Sequence, residues 1–415
     1  MSHTPTPTDA DTNQSLRIAT GSCEGGTSDH AVSKAATEVE DTLETHPDLV
    51  VAMISSKYDA EVVAHRLKQR WPKAMIHGLT SCLGAVTEKG FHGKDGDGMA
   101  LWGISDPKGA YGIGMVDLGP DHDSARQAGS QAIRDAVITA GRPGEVPSLL
   151  LLSSPPGREE AIQAGIHDVV GQSVPIVGGS AADNTVSGDW KIFGRDGVNA
   201  NAVLVGAFFV SGNVGIAVHN GYLPTSMQGR ITKSDGRIIL EIDNEPASAV
   251  YNRWTNGLVS DLLETGGNIL SRSTLTPLGH VVDKVNDIPQ YLLLHPNQIT
   301  KEGGVELFAN APQGKMIVLM TGDRKSLINR AERVMESAIQ QQKFTSSDIV
   351  GALMIYCAGC LLTIDDGINE VAENVGRCLN KRPFLGGFTF GEHSCFIGRG
   401  NHFGNLMISA IVFGR

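Results

Sequence analysis

The chain has 415 residues, 41% of them hydrophobic and 19% charged, with a net charge of −11. That length suits two ordinary domains or one large α/β body, and 50 glycines without a fixed period exclude a collagen-like array. The 34 Lys and Arg form no basic cluster against 45 Asp and Glu, which disfavours nucleic acid and membrane surfaces as partners, and no apolar run reaches the ~20 residues of a membrane span.

Residues 1–15, MSHTPTPTDADTNQS, are polar and lack the apolar core of a signal peptide, so a disordered tail and a cytoplasmic protein are expected. Leu16 to Gly26 reads as a strand and glycine turn, and SDHAVSKAATEVEDTLE as a helix with Ser28 or Asp29 as N-cap. DLVVAMISS, AEVVAHRLKQRW and AMIHGLTS then give strand, helix and strand over residues 48–81. MALWGIS and AYGIGMVDLG are further strands, and DHDSARQAGSQAIRDAVITA is an N-capped helix. The strand–helix–strand pattern returns as PSLLLLSSPPG, REEAIQAGIHDVVG and PIVGGSAADN over residues 147–184. After the strand ANAVLVGAFFV, Val210 to Asn220 reads as glycine-rich turns. ITKSDGRIILEIDN is a hairpin turning at Asp235-Gly236, and PASAVYNRWTNGLVSDLLET a helix with Pro246 near its first position. The third copy is IVGALMIYCAG, INEVAENVGRCL and PFLGGFTFGEH, ending at residue 393.

Each copy is a βαβ unit, and near-continuous apolar strands are what a sheet covered on both faces requires. The crossover helix returns the second strand parallel to the first, so the serine and glycine ends share the carboxyl edge, where open α/β sheets bind ligands. The glycine turns either frame a cleft there or serve positive φ and close packing alone. The expected architecture is α/β, with two mixed-sheet domains of βαβ units over 16–211 and 212–415 and Gly-rich turns at the strand ends.

Several motifs carry a resemblance: LTSCLG at 79–84, LLLLSS at 149–154, and IVGGSAADN at 176–184 followed by Trp190 and Phe193. The second half adds HNGYLP at 219–224, ITKSDGRIILEIDNEPASAVY at 231–251, YCAG at 356–359 and GGFTFGE at 386–392. The pattern resembles the paired FIST N-terminal and C-terminal domains of bacterial signal-transduction proteins. That resemblance implies a sensory module for a small ligand, amino acids being the usual suggestion, while some members are similar to haem-binding nitric-oxide sensors that regulate histidine kinases. Cys360 stands where the family more often has a basic residue, and His393 where an apolar one is more usual. No kinase, cyclase or methyl-accepting segment is attached, so the signal is expected to pass to a separate partner such as a histidine kinase or cyclase. A homo-oligomer is compatible with this reading.

Ser180, Asp183 and Asn184 offer acceptors, an amide donor and backbone N–H groups. Asp183 suits the ammonium of an amino-acid-like ligand, or an Asx-turn that satisfies only its own backbone. Thr389 and Glu392 follow the last Gly-Gly, with Glu392 as an amine partner or a structural acceptor. His393 and His219 are the candidate haem ligands, each with an ordinary surface or core role as the alternative. Cys357 and Cys360 form a CxxC pair that raises redox or metal chemistry, but a structural zinc site wants a second pair. Leu361-Leu362 follow at once, which favours a buried turn over a redox motif opening a helix. The six cysteines are too scattered for a disulfide framework. Trp190, Phe193, Tyr222 and Trp254 belong either to the core or to an aromatic cage. No GxSxG, HExxH or P-loop is present, so the reading is a non-enzymatic sensor. The alternative is a hydrolase using Ser153 or a thiol oxidoreductase using Cys357 and Cys360.

Overall fold

A computed structural model describes residues 15–285, 287–396 and 400–415; apart from Ser15, the tail read from the sequence lies outside them. Three strands, Leu49–Ile54, Leu149–Ser154 and Ile349–Cys357, are buried at every position, as continuous apolar runs demand. Helices Ala60–Arg70 and Glu159–Val170, and the consecutive helices Ala358–Ile364 and Ile368–Cys378, lead into the parallel partners Met75–Thr80, Ile176–Ser180 and Phe384–Thr389. The registers correspond: Ile54 opposes Thr80, Ser154 opposes Ser180, and Cys357 opposes Thr389.

Each parallel pair forms the centre of a six-stranded sheet. On one side lie a long antiparallel strand (Gly98–Ser105, Ala202–Phe209 or Ile408–Gly414) and an edge strand (Arg17–Glu24, Ala110–Asp117 or Asn213–His219). On the other side lies a hairpin that belongs to a different unit. The hairpin of Ala85–Thr87 and Gly90–His92, which follows the first unit, pairs with the third unit's Phe384–Thr389. The hairpin after the second unit, Ile192–Gly194 and Gly197–Asn199, pairs with Met75–Thr80 of the first. The hairpin after the third, Glu392–Phe396 and Gly400–Gly404, pairs with Ile176–Ser180 of the second. The exchange closes a ring with three-fold pseudo-symmetry.

The three sheets share an inner core in which Met53, Trp102, Leu151, Leu204, Leu353 and Phe413 meet. Each unit also has an outer core beneath its helices. Only the third unit is interrupted. Between its edge strand Asn213–His219 and the helix Arg324–Gln342, the chain builds a nine-stranded sheet with a separate apolar core around Ile231, Tyr251, Leu278 and Ile317.

The glycines expected to form turns lie inside strands. Gly78, Gly178 and Gly387 hold equivalent positions, two residues before Thr80, Ser180 and Thr389. A Cβ at Gly78 would stand 2.0 Å from the Phe193 ring, at Gly178 1.9 Å from the Leu152 carbonyl oxygen, and at Gly387 2.6 Å from Met53 Sδ. They are contact points inside strands, where Gly78 and Gly178 meet their paired neighbours Phe193 and Leu152 and Gly387 meets Met53 of another sheet.

Other local readings shift. The first helix is capped by Thr27, which accepts from His30 N–H at 3.2 Å. The hairpin turns at Gly236-Arg237, since Asp235 and Ile238 still pair. The helix starting after Pro246 stops at Trp254, because Asn256 and Gly257 adopt positive φ of 55° and 92°. Residues 213–219 are a strand, whose Gly215 packs against the Ala338 carbonyl of the covering helix. Cys357 caps the start of a helix, so the CxxC pair does open a helix after a strand.

Gly387→Ala is expected to cost ~1–3 kcal/mol through overpacking against Met53. Gly376→Ala, in helix Ile368–Cys378 where an added Cβ meets nothing within 4 Å, is expected to stabilise by ~0.5–1 kcal/mol. Urea unfolding of the two variants gives both signs.

Candidate functional site

A cavity of about 350 Å³ opens at the carboxyl ends of the third unit's parallel strands. Its walls come from three parts of the chain. The third unit gives Cys357, Ala358, Gly359, Leu362, Thr389, Phe390 and Asn405; the inserted sheet region gives Leu270, Thr274, His295 and Phe308; the loop after the second unit gives Val186.

No Asp, Glu, Lys or Arg is among these lining residues. Burial holds the His295 imidazole neutral, down to about 4, and its Nε2–H donates to the Leu270 carbonyl at 3.2 Å. Asn405 is 2% exposed. Its Oδ1 accepts from the His295 backbone N–H at 3.1 Å, while its Nδ2 has no partner. Thr389 Oγ1 donates to Glu392 at 3.1 Å. Glu392 lies behind Thr389, fully buried, and accepts from Met407 N–H at 3.0 Å. Burial pushes its carboxyl well above the ordinary range.

A second layer adjoins the cavity through Cys357. The neighbouring Cys360 thiol, then burial, pushes the Cys357 thiol well up. Cys360 is fully buried, with its sulfur 3.8 Å from the Tyr222 hydroxyl. Burial opposes its ionisation, yet the Cys357 thiol and the Arg330 guanidinium together hold it down at about 6. Arg330 is fully buried, donates to the carbonyls of Asn220 and Leu406, and lies 5.9 and 5.3 Å over the rings of Tyr222 and Tyr356. It has no carboxylate partner among the described residues, and its Nε and Nη2 make no well-formed hydrogen bond. Sequence reading missed Arg330, yet the periodicity held a signal: it shares the buried helix face of Leu327, Ala331 and Val334.

The second unit's strand end is filled. Ser180 donates its hydroxyl to the buried Glu159 at 2.7 Å, and Arg237 of the inserted sheet reaches the same carboxylate at 2.7 Å. Burial pushes Glu159 up while Arg237 pulls it back. Asp183 is an Asx-type cap: it accepts from the N–H groups of Thr185, Ser187, Gly188 and Asp189 at 2.8 to 3.2 Å. Burial opposes its charge, but these four bonds outweigh it and hold the carboxyl below the usual range. Asn184 bridges Leu83 N–H at 2.7 Å and the Gly96 carbonyl at 2.8 Å, and so closes the first unit's strand end. Of the five expected ligand-binding residues, Thr389 alone lines the cavity.

The residues present do not fit haem. His393 is fully buried against the Phe403 ring, 5.1 Å between centroids, with neither ring nitrogen partnered and its imidazole pushed down to about 3 by burial. It lines none of the cavities described here. His219 borders a separate cavity of about 370 Å³ with Tyr291, Phe396 and Met407. Its Nδ1 accepts the Gly221 N–H at 2.9 Å, which leaves the proton on Nε2, the nitrogen an iron would need bare. Among the described residues no three His, Cys, Asp or Glu converge on a metal position, and no helix is long and apolar enough to cross a membrane. Ser153 Oγ lies 2.9 Å from His77 Nε2, but both are buried, His77 Nδ1 is unpartnered, and neither lines a described cavity. Trp190 packs edge-on to Phe390 at 6.3 Å, Phe193 and Tyr222 are buried, and Trp254 flanks the inserted sheet's core.

Comparison with known proteins gives two adjoining matches: the FIST N domain over residues 48–245 and the FIST C domain over 247–395. No curated protein matches the chain. Among solved structures, a cyanuric acid hydrolase is similar at 8% identity with a TM-score of 0.36, covering 96% of this chain and 99% of that one. The cyanuric acid hydrolase of A. caulinodans gives the same values. PurLQS of Thermotoga maritima follows at 9% identity and a TM-score of 0.21, covering 74% and 72%.

Two substitutions test the buried titratable groups. The folded state holds Glu392 above its ordinary 4.5, so the wild type loses stability as pH rises from 4.5 toward the folded pKa. Glu392→Gln, which can accept from Met407 and donate to Thr389, should therefore gain on the wild type as pH increases through that range. His393 behaves oppositely: the unfolded chain takes a proton near 6.5 and the folded one near 3, so stability falls as pH drops between them. His393→Leu should stabilise by ~1–2 kcal/mol at pH 7 by removing unpaired buried nitrogens, with the advantage growing below pH 6.5. Denaturant midpoints across pH 4–8 measure both.

Proposed function

From a chain that belongs to the FIST family, carrying its N and C domains in order, we propose a sensory protein whose small ligand occupies the cavity bordered by Cys357, Thr389 and Asn405. FIST domains generally serve as small-ligand sensory domains of signalling proteins. The observation that carries the reading is the unpartnered Nδ2 of the buried Asn405 on the wall of this cavity. Leaving a buried donor unmade costs ~1–3 kcal/mol, which an acceptor oxygen on a ligand recovers.

The lining also supports a ligand class. An amino acid would bring an ammonium and a carboxylate into walls without a counter-charge, at a heavy desolvation cost. Asp183, expected to meet the ammonium, is spent on backbone N–H groups, and Glu392 is turned to Met407 and Thr389. The fitting ligand is uncharged and largely apolar, with a hydrogen-bond acceptor for Asn405 and contact with Phe308 and Phe390. Such a molecule touches the ring and the inserted sheet region at once, so it favours the arrangement in which both walls are close. That population shift is the signal passed to a separate partner such as a histidine kinase or cyclase.

Thermal-shift screening of uncharged carbonyl compounds against zwitterionic amino acids tests this. Asn405→Asp keeps the oxygen that holds His295 and removes the donor. The neutral compounds should stabilise the wild type and bind Asn405→Asp ~10-fold more weakly, the value of one buried hydrogen bond. Stabilisation by amino acids alone, equal in both proteins, would overturn the assignment.

A further inference from the structure

Ligand recognition leaves unused the cluster of Cys357, Cys360, Arg330 and Tyr222 behind the cavity. Cys357 caps the helix Ala358–Ile364 and presents its side chain to the cavity wall; Cys360 follows one turn later, out of reach of solvent. The two free thiols influence one another's ionisation in opposite senses, Cys357 being pushed up and Cys360 pulled down. Cys357 at the N-cap and Cys360 at the third helical position hold the Cys-x-x-Cys spacing of dithiol–disulfide pairs. Arg330 is a fully buried cation with no carboxylate partner among the described residues. An uncompensated buried charge is strongly unfavourable; the acidic groups in its reach are Cys360 first, then the Tyr356 and Tyr222 hydroxyls and Cys357, with the buried Glu392 also feeling its charge, and Cys360 is the one held down, at about 6. A buried thiol and a buried guanidinium behind a cavity-facing thiol are more than packing requires.

We propose that Cys357 and Cys360 are a peroxide-responsive dithiol, closing to an intramolecular disulfide that removes the counter-charge of Arg330. The oxidant is hydrogen peroxide, which a cavity of about 350 Å³ admits to the Cys357 sulfur. Cys357 attacks one peroxide oxygen as its proton passes to the Cys360 thiolate; the S–O bond forms, the O–O bond breaks, and hydroxide leaves. Cys360 gives that proton to the hydroxide, forming water, and its sulfur displaces a second hydroxide from the Cys357 sulfenic acid to make the S–S bond. Two electrons pass from the sulfurs to the peroxide, and one water and one hydroxide result. Arg330 is then left with the Asn220 and Leu406 carbonyls and the rings of Tyr222 and Tyr356, none of them an anion. Those residues lie where the inserted segment leaves the ring and beside Asn405, so oxidation loosens the cavity; this last coupling rests on the ligand site proposed above, whereas the thiol chemistry does not.

The full-length reduced protein is treated with hydrogen peroxide, denatured, labelled with a maleimide and weighed intact, then mapped by peptide. The expected result is a fall from six labelled thiols by two, with the loss mapped to Cys357 and Cys360. Retention of all six, or loss confined to the less buried Cys378 and Cys395, overturns the proposal. Cys360→Ser should stop at a Cys357 sulfenic acid trapped by dimedone and react at least ~10-fold more slowly, having lost its internal base. The wild-type rate should level off above pH about 6, the range in which Cys360 ionises; a rate still climbing through pH 8–9 would remove Arg330 from the mechanism. Ligand thermal shifts on the reduced protein report the cavity separately, so failure of one reading is distinct from failure of the other.

Discussion

The exchange of hairpins among the three βαβ units governs everything else. Its bonds run around the axis: Cys82 N–H donates to the Phe388 carbonyl at 3.0 Å, Ala182 N–H to Thr80 at 2.9 Å, and Phe390 N–H to Ser180 at 3.1 Å. No unit completes its own sheet, so none buries its strand edges without its neighbours. The same bonds fix the three carboxyl edges against one another, which is why a cavity there has rigid walls on the ring side. The cost is kinetic, since pairings such as Leu385 with Thr87 join distant parts of the chain and must wait for long loops to close.

Three equivalent strand ends have three different fates. Asn184 and Ser55 close the first with neutral hydrogen bonds. Glu159 and Arg237 close the second, and Asn310 adds a backbone bond to Glu160 that ties the inserted sheet down. The third stays open. The difference follows from the insertion interrupting only that unit, so that His295 and Phe308 stand off from Thr389 and Phe390 and leave a gap. Symmetry supplies the scaffold, and its breaking supplies the site.

Much of the scaffold was legible because apolar strands such as LLLL and VVAM declare burial by themselves, and the helices between them carry caps and a 3.6-residue period. FIST membership was legible from IVGGSAADN and the hairpin through EIDNEPA. The exchange was not, since strands as short as Ala85–Thr87 or Ile192–Gly194 hold too few residues to reveal a period or a partner. The glycines were noticed, but the choice between a cleft and close packing was left open, because the neighbours that decide it, such as Phe193 against Gly78, come from elsewhere in the chain. The site was the least visible part. Asp183 looked like a ligand residue for the same reason that it makes a good cap, and His295, Asn405 and Arg330 are single residues whose meaning depends on what folds beside them.

The inserted segment enters and leaves the ring through one adjoining pair, Leu223 opposite Thr321, with Tyr222 packed against Gly322. It has its own apolar centre, and its two ends are neighbours. An element attached in this way is a cassette: it can be lengthened, trimmed or replaced without unthreading a strand of the ring. Descent from a common scaffold can therefore reshape the cavity, by varying the segment that carries His295 and Phe308, while Cys357 and Thr389 stay in place. For an engineer the same join is the natural splice point, at which a foreign segment meets an unchanged ring.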